Sequence, residues 1–287
     1  MKTILIQLDT DPLPSGFDRV VAVDVDIDHL FSYGGVTPEQ VESLVHGALF
    51  TRGPKDLSHT AIFIGGSNVA AGEAVLKKVC RTFFGPMRVS VMMDSNGSNT
   101  TAAAAVLSAR RHVDLSGATA AILAGTGPVG LRAAQLLAKA GATVRIGSRS
   151  LERAARACDE IKVAVAAGAP VTPFATATRE NLHQACDGAN LVIATGAAGI
   201  ELLPADVRRS LSSLRVAIDV NAVPPAGIGG IEVFDKGAQR DGVVCYGAVG
   251  VGGLKMKIHK AALCKLFETN DKVLDWAEIY AIGGEMA

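Results

Sequence analysis

Ala120-Ala121-Ile122-Leu123-Ala124 runs directly into Gly125-Thr126-Gly127-Pro128-Val129-Gly130, and no other stretch constrains the fold as tightly. An apolar strand that ends in G-x-G-x-x-G and opens an apolar-faced helix is a dinucleotide-binding turn when a second strand follows at the right distance. Residues 143–146 supply that strand. Gly125 allows the tight turn, Gly127 lets the backbone approach a pyrophosphate, and Gly130 lets helix and strand pack closely. The helix N-terminus offers free N–H groups and a positive dipole end to phosphate. Pro128 falls in the first turn, where a missing N–H matters little. Gly125, Thr126, Gly127, Pro128, Val129 and Gly130 are therefore assigned to cofactor binding.

The rest of the chain fits around this turn. Short β-rich runs alternate with helical patterns, the signature of a mostly parallel α/β architecture. Strands are expected at 3–8, 20–25, 60–64 and 88–93, then at 119–124, 143–146, 171–174, 191–194, 216–220 and 243–246. Thr37-Pro38-Glu39 starts one helix, with Val41, Leu44, Val45 and Ala48 on its inner face, and Ser67 or Asn68 starts the next. Gly141 and Gly188 end helices, and Ser150 caps one whose buried face holds Leu151, Ala154, Ala155, Cys158 and Ile161. The tail from Gly253 is helical and is expected to return to the first domain. The expectation is two α/β domains with a cleft between them. Residues 1–110 with 253–287 form one domain. Residues 111–252 form the other, a doubly wound Rossmann domain.

The second strand of the glycine unit selects the cofactor. An NAD site places Asp or Glu at its end. Here the strand ends Ile146-Gly147-Ser148-Arg149-Ser150, with no acid before Glu152. Ser148 and Arg149 offer donors to a 2′-phosphate, and Arg153 lies one turn on. NADP is the expected cofactor, with NAD as a possible second. Thr195, Gly196 and Asn221 follow the fourth and fifth strands, where the nicotinamide ribose is expected.

Composition excludes other classes. Lys+Arg and Asp+Glu are 28 each, and no long basic run occurs, which argues against nucleic acid. No apolar run reaches the ~18 residues that cross a bilayer, and the N-terminus lacks a signal-peptide pattern. Five scattered cysteines without Cys-x-x-Cys read as reduced thiols, so a cytoplasmic protein is expected. The six histidines form no metal-spaced pair, and no nucleophile elbow occurs, so no metal is expected. The chemistry is then the cofactor's, with the protein supplying geometry and field.

Two segments point to a substrate. Asp94-Ser95-Asn96-Gly97-Ser98-Asn99-Thr100-Thr101 is a dense polar loop running into a helix, and Gly252-Gly253-Leu254-Lys255-Met256-Lys257-Ile258-His259 leads from glycines into a basic stretch. Lys255, Lys257 and His259 share a face if that stretch is extended; Lys255 and His259 align if it is helical. With the glycine turn, these segments resemble the NAD(P)-dependent methylene-tetrahydromethanopterin dehydrogenases of methylotrophic bacteria. So do Tyr33-Gly34, Val36-Thr37-Pro38, Phe63 to Gly66, Lys265-Leu266-Phe267 and Glu278-Ile279-Tyr280. The resemblance covers essentially the whole chain. It implies reversible oxidation of a methylene-tetrahydropterin to the methenyl form by hydride transfer, with tetrahydrofolate as a second substrate of some members. It also implies a homo-oligomer, trimer or hexamer, with Lys255 on the pterin side. The run from Asp219-Val220-Asn221 to Ile228 looks like the branch that accepts both NAD and NADP. On this reading Asp94, Asn96, Ser98, Thr100 and Lys255 line the pterin side, with Lys257 and His259 as weaker candidates. The family is distantly similar to the bifunctional folate dehydrogenase/cyclohydrolases, which use a lysine four residues after a tyrosine; no lysine stands at that spacing here, so cyclohydrolase activity is not expected. The competing readings are a shikimate-dehydrogenase-like enzyme, for which Lys55-Asp56 is a thin basis, and a non-catalytic NADPH-binding redox sensor.

Overall fold

The computed structural model describes residues 1–286. They divide into two compact units, Met1–Thr100 with Met256–Met286, and Thr101–Lys255. The first contains β1 (Ile4–Asp9), α1 (Gly16–Val23), β2 (His29–Tyr33), α2 (Pro38–Leu49), β3 (Thr60–Gly65), α3 (Val69–Thr82), β4 (Ser90–Met93) and the start of α4 (Ser98–Arg110). The second adds β5 (Thr119–Leu123), α5 (Pro128–Lys139), β6 (Thr143–Ser148), α6 (Leu151–Ala164), β7 (Val171–Ala175), α7 (Arg179–Cys186), β8 (Leu191–Ala194), α8 (Ala205–Ser210), β9 (Val216–Asp219), β10 (Lys236–Arg240) and β11 (Val243–Tyr246). Helix α9 (Ala248–Lys265) leaves the second unit, and β12 (Val273–Leu274) and α10 (Trp276–Gly284) complete the first.

The first unit is a parallel five-stranded sheet in the order β12-β4-β3-β1-β2. Its central strand β3 is buried at all six residues, as a parallel strand covered on both faces must be. Thr37 and Gln40 form a capping box on α2, and the Asn68 side chain accepts from the Ala71 N–H at the start of α3. Residues 20–25, expected as a strand, instead end helix α1. The Ser15 hydroxyl accepts from the Asp18 N–H, and only Val21 and Ala22 of α1 are buried. Capping and a one-sided apolar stripe override the β-propensity of the valines. The strand on the outer side of β1 is β2, whose alternating exposure marks a sheet edge.

The second unit holds seven strands in the order β10-β11-β9-β8-β5-β6-β7. The strand order reverses at β5, which pairs β6 on one side and β8 on the other. Such a switch point is where doubly wound sheets bind ligands. All the expected strands of this half are present to within two residues. The antiparallel edge strand β10, Lys-Gly-Ala-Gln-Arg, has no apolar pattern to announce it. It is pinned by Arg208, which is 1% exposed, donates to the Gly229 and Arg240 carbonyls and pairs with Asp241. Leu151 is exposed, contrary to expectation, because it opens α6 outside the buried stripe of Ala154, Ala157, Cys158 and Ile161. Among the described residues, no helix is long and apolar enough to cross a membrane.

Candidate active site

The turn between β5 and α5 separates the tasks of its glycines. A Cβ on Gly125 would stand 2.9 Å from the Ile122 carbonyl oxygen. One on Gly130 would stand 2.7 Å from the Gly125 Cα and 2.7 Å from the Thr195 hydroxyl. Both glycines are required by the protein's own packing. Gly127 is not, because its Cβ would meet nothing nearer than the Ala124 carbonyl oxygen at 3.8 Å. Gly127 is also the N-cap of α5 and carries no side chain to satisfy the first N–H groups of that helix. An open approach to uncapped N–H donors at a helix start is what a dinucleotide pyrophosphate requires, so the turn fits that group. Thr126, Pro128 and Val129 are half-buried along it. The Thr195 hydroxyl braces the turn from β8 by donating to the Leu123 and Ala124 carbonyls at 3.1 and 3.3 Å. A Cβ on Gly196 would press on Leu202, at 2.7 Å.

At the end of β6, Ser148 is buried and its hydroxyl accepts from the Ser150 N–H, while Arg149 is exposed. Ser150 in turn accepts from the Arg153 N–H and caps α6. A cavity of about 250 Å3 lies at the end of β9, and another of about 230 Å3 lies beside the glycine turn. The second is lined by Thr126, Arg153, Arg156, Ala157 and Glu160. Arg149 is outside that lining. Arg156 was not foreseen, although it sits three residues after Arg153 and therefore on the same side of α6.

Asn221, half-buried, lines the cavity at β9. Its amide folds its own loop, donating to the Val223 and Pro225 carbonyls at 3.0 and 3.2 Å and accepting from the Val223 N–H. Asp219, in the same lining, is buried and accepts from the Asn221 and Ile228 N–H groups. Burial pushes its carboxyl above the usual carboxylate range, against the opposing pull of those N–H donors.

In the first unit, the polar loop after β4 turns inward. Asp94 is 2% exposed. Its Oδ1 accepts from the Asn99 and Thr100 N–H groups at 2.9 and 3.0 Å, and its Oδ2 accepts from the Thr100 hydroxyl at 2.6 Å. The buried Ser98 hydroxyl donates to the Ser95 carbonyl, and the Asn99 amide donates to Met93 and Asp275. Asp94, Ser98 and Thr100 thus build the start of α4. Asn96 alone of the four candidates in this loop is exposed, held at φ 55° on the tip of the turn. The basic stretch is helical, so Lys255 and His259 share one side of α9 and the exposed Lys257 points elsewhere. Lys255 is half-buried; His259 is fully buried, with Nδ1 3.5 Å from the Asp94 Oδ2.

The carboxyl ends of β1 and β3 carry groups that the sequence reading passed over. Asp9 is buried and accepts from the Asp11 and Ser15 N–H groups, and Asp11 receives the N–H and hydroxyl of Ser67. The rule that ligands gather at strand ends was sufficient to mark this edge.

Comparison with known proteins agrees with this architecture. Residues 16–96 match the family model for the N-terminal part of methylene-tetrahydromethanopterin dehydrogenase. The chain is 34% identical, over 95% of its length and 95% of the relative's, to the NAD(P)-dependent methylenetetrahydromethanopterin dehydrogenase of Methylorubrum extorquens. The chain belongs to the methylene-tetrahydromethanopterin dehydrogenase family. It is also 47% identical, over its whole length and 99% of the relative's, to the bifunctional protein MdtA of the same organism. Among solved structures it resembles the quinate dehydrogenase of Corynebacterium glutamicum in complex with NAD, at a TM-score of 0.51 and 11% identity, covering 99% of each chain. It resembles the 5-ketofructose reductase of a Gluconobacter species at a TM-score of 0.50 and 15% identity, covering 100% of this chain and 99% of the other. At such identities these likenesses concern the fold alone.

Proposed function

We propose that the protein is an NADP-preferring dehydrogenase that oxidises a methylene-tetrahydropterin to the methenyl form. The observation that carries this is the glycine turn, with an open face at Gly127 and an uncapped α5, in a member of this family. The turn and the N-terminus of α5 hold the pyrophosphate. Ser148 and Arg149, with Arg153 and Arg156, surround the adenosine end and favour a 2′-phosphate over a bare hydroxyl. Thr195, Gly196 and Asn221 shape the nicotinamide end. The chemistry supplied by a bound nicotinamide is acceptance of a hydride from the methylene carbon.

That transfer leaves a cation stabilised by resonance, so no proton moves and no acid or base is needed. The protein's task is to hold the reacting carbons about 3–3.5 Å apart and to exclude alternatives. Lys255 and Asn96 are the polar groups that reach toward the pterin, with Lys257 peripheral. Asp94, Ser98 and Thr100 support them by fixing the turn. We infer that cyclohydrolase activity is absent, since Lys55 is exposed with no tyrosine four residues before it. The five free thiols fit a reducing compartment such as the cytoplasm. A homo-oligomer is supported by Phe31 and Tyr33, exposed on the edge strand β2.

The test is an assay of purified protein with methylene-tetrahydromethanopterin, and separately with methylene-tetrahydrofolate, against NADP and NAD. Formation of reduced nicotinamide, faster with NADP, is expected. No turnover of either pterin with either nucleotide overturns the reading. Methenyl substrate supplied without nucleotide should decay no faster than in buffer.

A further inference from the structure

We propose that His259 is a positioning residue whose buried imidazole aims the pterin-recognising groups of the first unit. The inference rests on the pterin-dehydrogenase reading above. Its starting point is an imidazole where a plain core helix would carry leucine. On α9, Ile258, Ala262 and Leu263 are all buried apolar residues, and His259 lies among them with no exposure. A ring with two polar nitrogens is costly to bury unless its surroundings use it.

The surroundings do. The Nδ1 atom faces the Asp94 Oδ2 at 3.5 Å. That oxygen also takes the Thr100 hydroxyl, and the other oxygen takes two N–H groups of α4. The Asp94 carboxylate thus takes hydrogen bonds from α4 and faces the imidazole of α9. Its backbone carbonyl accepts from the Gly97 N–H, and the Asn96 N–H donates to the Gly66 carbonyl at 2.7 Å. Asn96 is therefore presented on a loop closed at Asp94 and tied to the end of β3.

The faces of the ring are used as well. Phe63 stacks on it with centroids 5.6 Å apart, and Phe17 meets it edge-on at 6.2 Å. Phe17 is 51% exposed, so part of its ring reaches solvent. Asp24, the C-cap of α1, pairs with Lys260, the neighbour of His259. One buried imidazole thereby braces both Phe17 and the Asn96 turn, and Lys255 stands one turn before it on the same helix. A solvent-exposed aromatic ring and an exposed amide suit a flat heterocycle with amide-like edges, which is the chemistry of a pterin ring.

His259→Leu keeps the volume and apolar packing but removes the nitrogen that faces Asp94. It should raise the pterin KM at least tenfold while the NADP KM stays within twofold. His259→Gln, which returns a side-chain N–H, should bring the pterin KM back to within threefold of wild type. Thr100→Val is nearly isosteric, removes the second contact to the same oxygen, and should move the pterin KM in the same direction. A purely structural histidine would leave the two KM values unsplit. A folded His259→Leu with an unchanged pterin KM, or with parallel losses for both substrates, overturns the proposal. So does failure of both His259→Leu and Thr100→Val to fold, because the pair would then hold the unit together rather than aim its site. Wild-type protein that turns over no pterin would instead overturn the underlying functional reading.

Discussion

The loops after β4 and β5 are the same device built to opposite ends. Each follows a buried parallel strand and opens a helix. After β4 the chain brings its own anion to the helix start, since the Asp94 carboxylate takes the Asn99 and Thr100 N–H groups. After β5 the N-cap is glycine and the corresponding donors are left for something outside the protein. A helix N-terminus attracts negative charge in both cases. Whether the charge is a side chain or a ligand decides whether the loop is a girder or a receptor.

Removing the internal anion is the severest way to break this contrast. Asp94→Ala leaves two buried N–H groups without their acceptor, at ~1–3 kcal/mol each, and takes the nearer of two acceptors from the Thr100 hydroxyl. A loss of about 3 kcal/mol or more is expected in urea unfolding, with nucleotide affinity unchanged within twofold. A stability loss under ~1 kcal/mol would mean that the carboxylate is not what holds α4.

The converse experiment installs an anion where none exists. Gly127→Asp has room for its Cβ. It should cap α5 and stabilise it by roughly a few tenths of a kcal/mol. It should also weaken NADP binding a hundredfold or more, about 2.7 kcal/mol, by fluorescence titration. Undiminished NADP binding would show that the pyrophosphate lies elsewhere.

A smaller effect concerns the edge of the receptor. Arg149→Ala should raise the NADP KM about tenfold, ~1.4 kcal/mol, and leave NAD nearly unaffected. Equal losses with both nucleotides would move the selecting role to Arg153 and Arg156, which line the cavity beside Thr126.

The smallest effect lies away from both loops, at Asp28. The Lys2 ammonium and the Thr3 N–H hold its carboxyl well below the ordinary 3.8. A carboxyl depressed in the folded state stabilises the protein above its unfolded value and loses that contribution as pH falls. Asp28→Asn should melt slightly below wild type at neutral pH, and the gap should close as pH drops through and below 3.8. A gap that widens in acid would contradict the sign.

The receptor was far more legible in the sequence than the girder. Glycines at fixed offsets after an apolar strand have few other uses, and parallel strands buried on both faces read as unbroken apolar runs. The polar loop after β4 was ambiguous because Asp, Ser, Asn and Thr serve equally as ligand donors and as helix caps. Only the folded turn separates the inward Asp94, Ser98 and Thr100 from the outward Asn96. Val20-Val21-Ala22-Val23 misled because β-branched residues satisfy strand statistics, whereas a serine cap and a single buried stripe decided for a helix. Strand β10 gave no signal, since hairpin geometry and Arg208 hold it rather than its own side chains.

The first unit is written in two pieces, and this sets an order in time. β4 gains its second neighbour only when Val273 and Leu274 arrive to pair with Val91 and Met92. At ~5–20 residues per second, the 180 residues from Met93 to Val273 take about 10–40 s to synthesise. The seven-stranded unit is contiguous and is complete in sequence before that strand exists. His259 also emerges late, more than a hundred residues after Asp94. A released chain that stops at Lys255 is therefore expected to bind nucleotide while its other sheet still presents β4 as a bare edge.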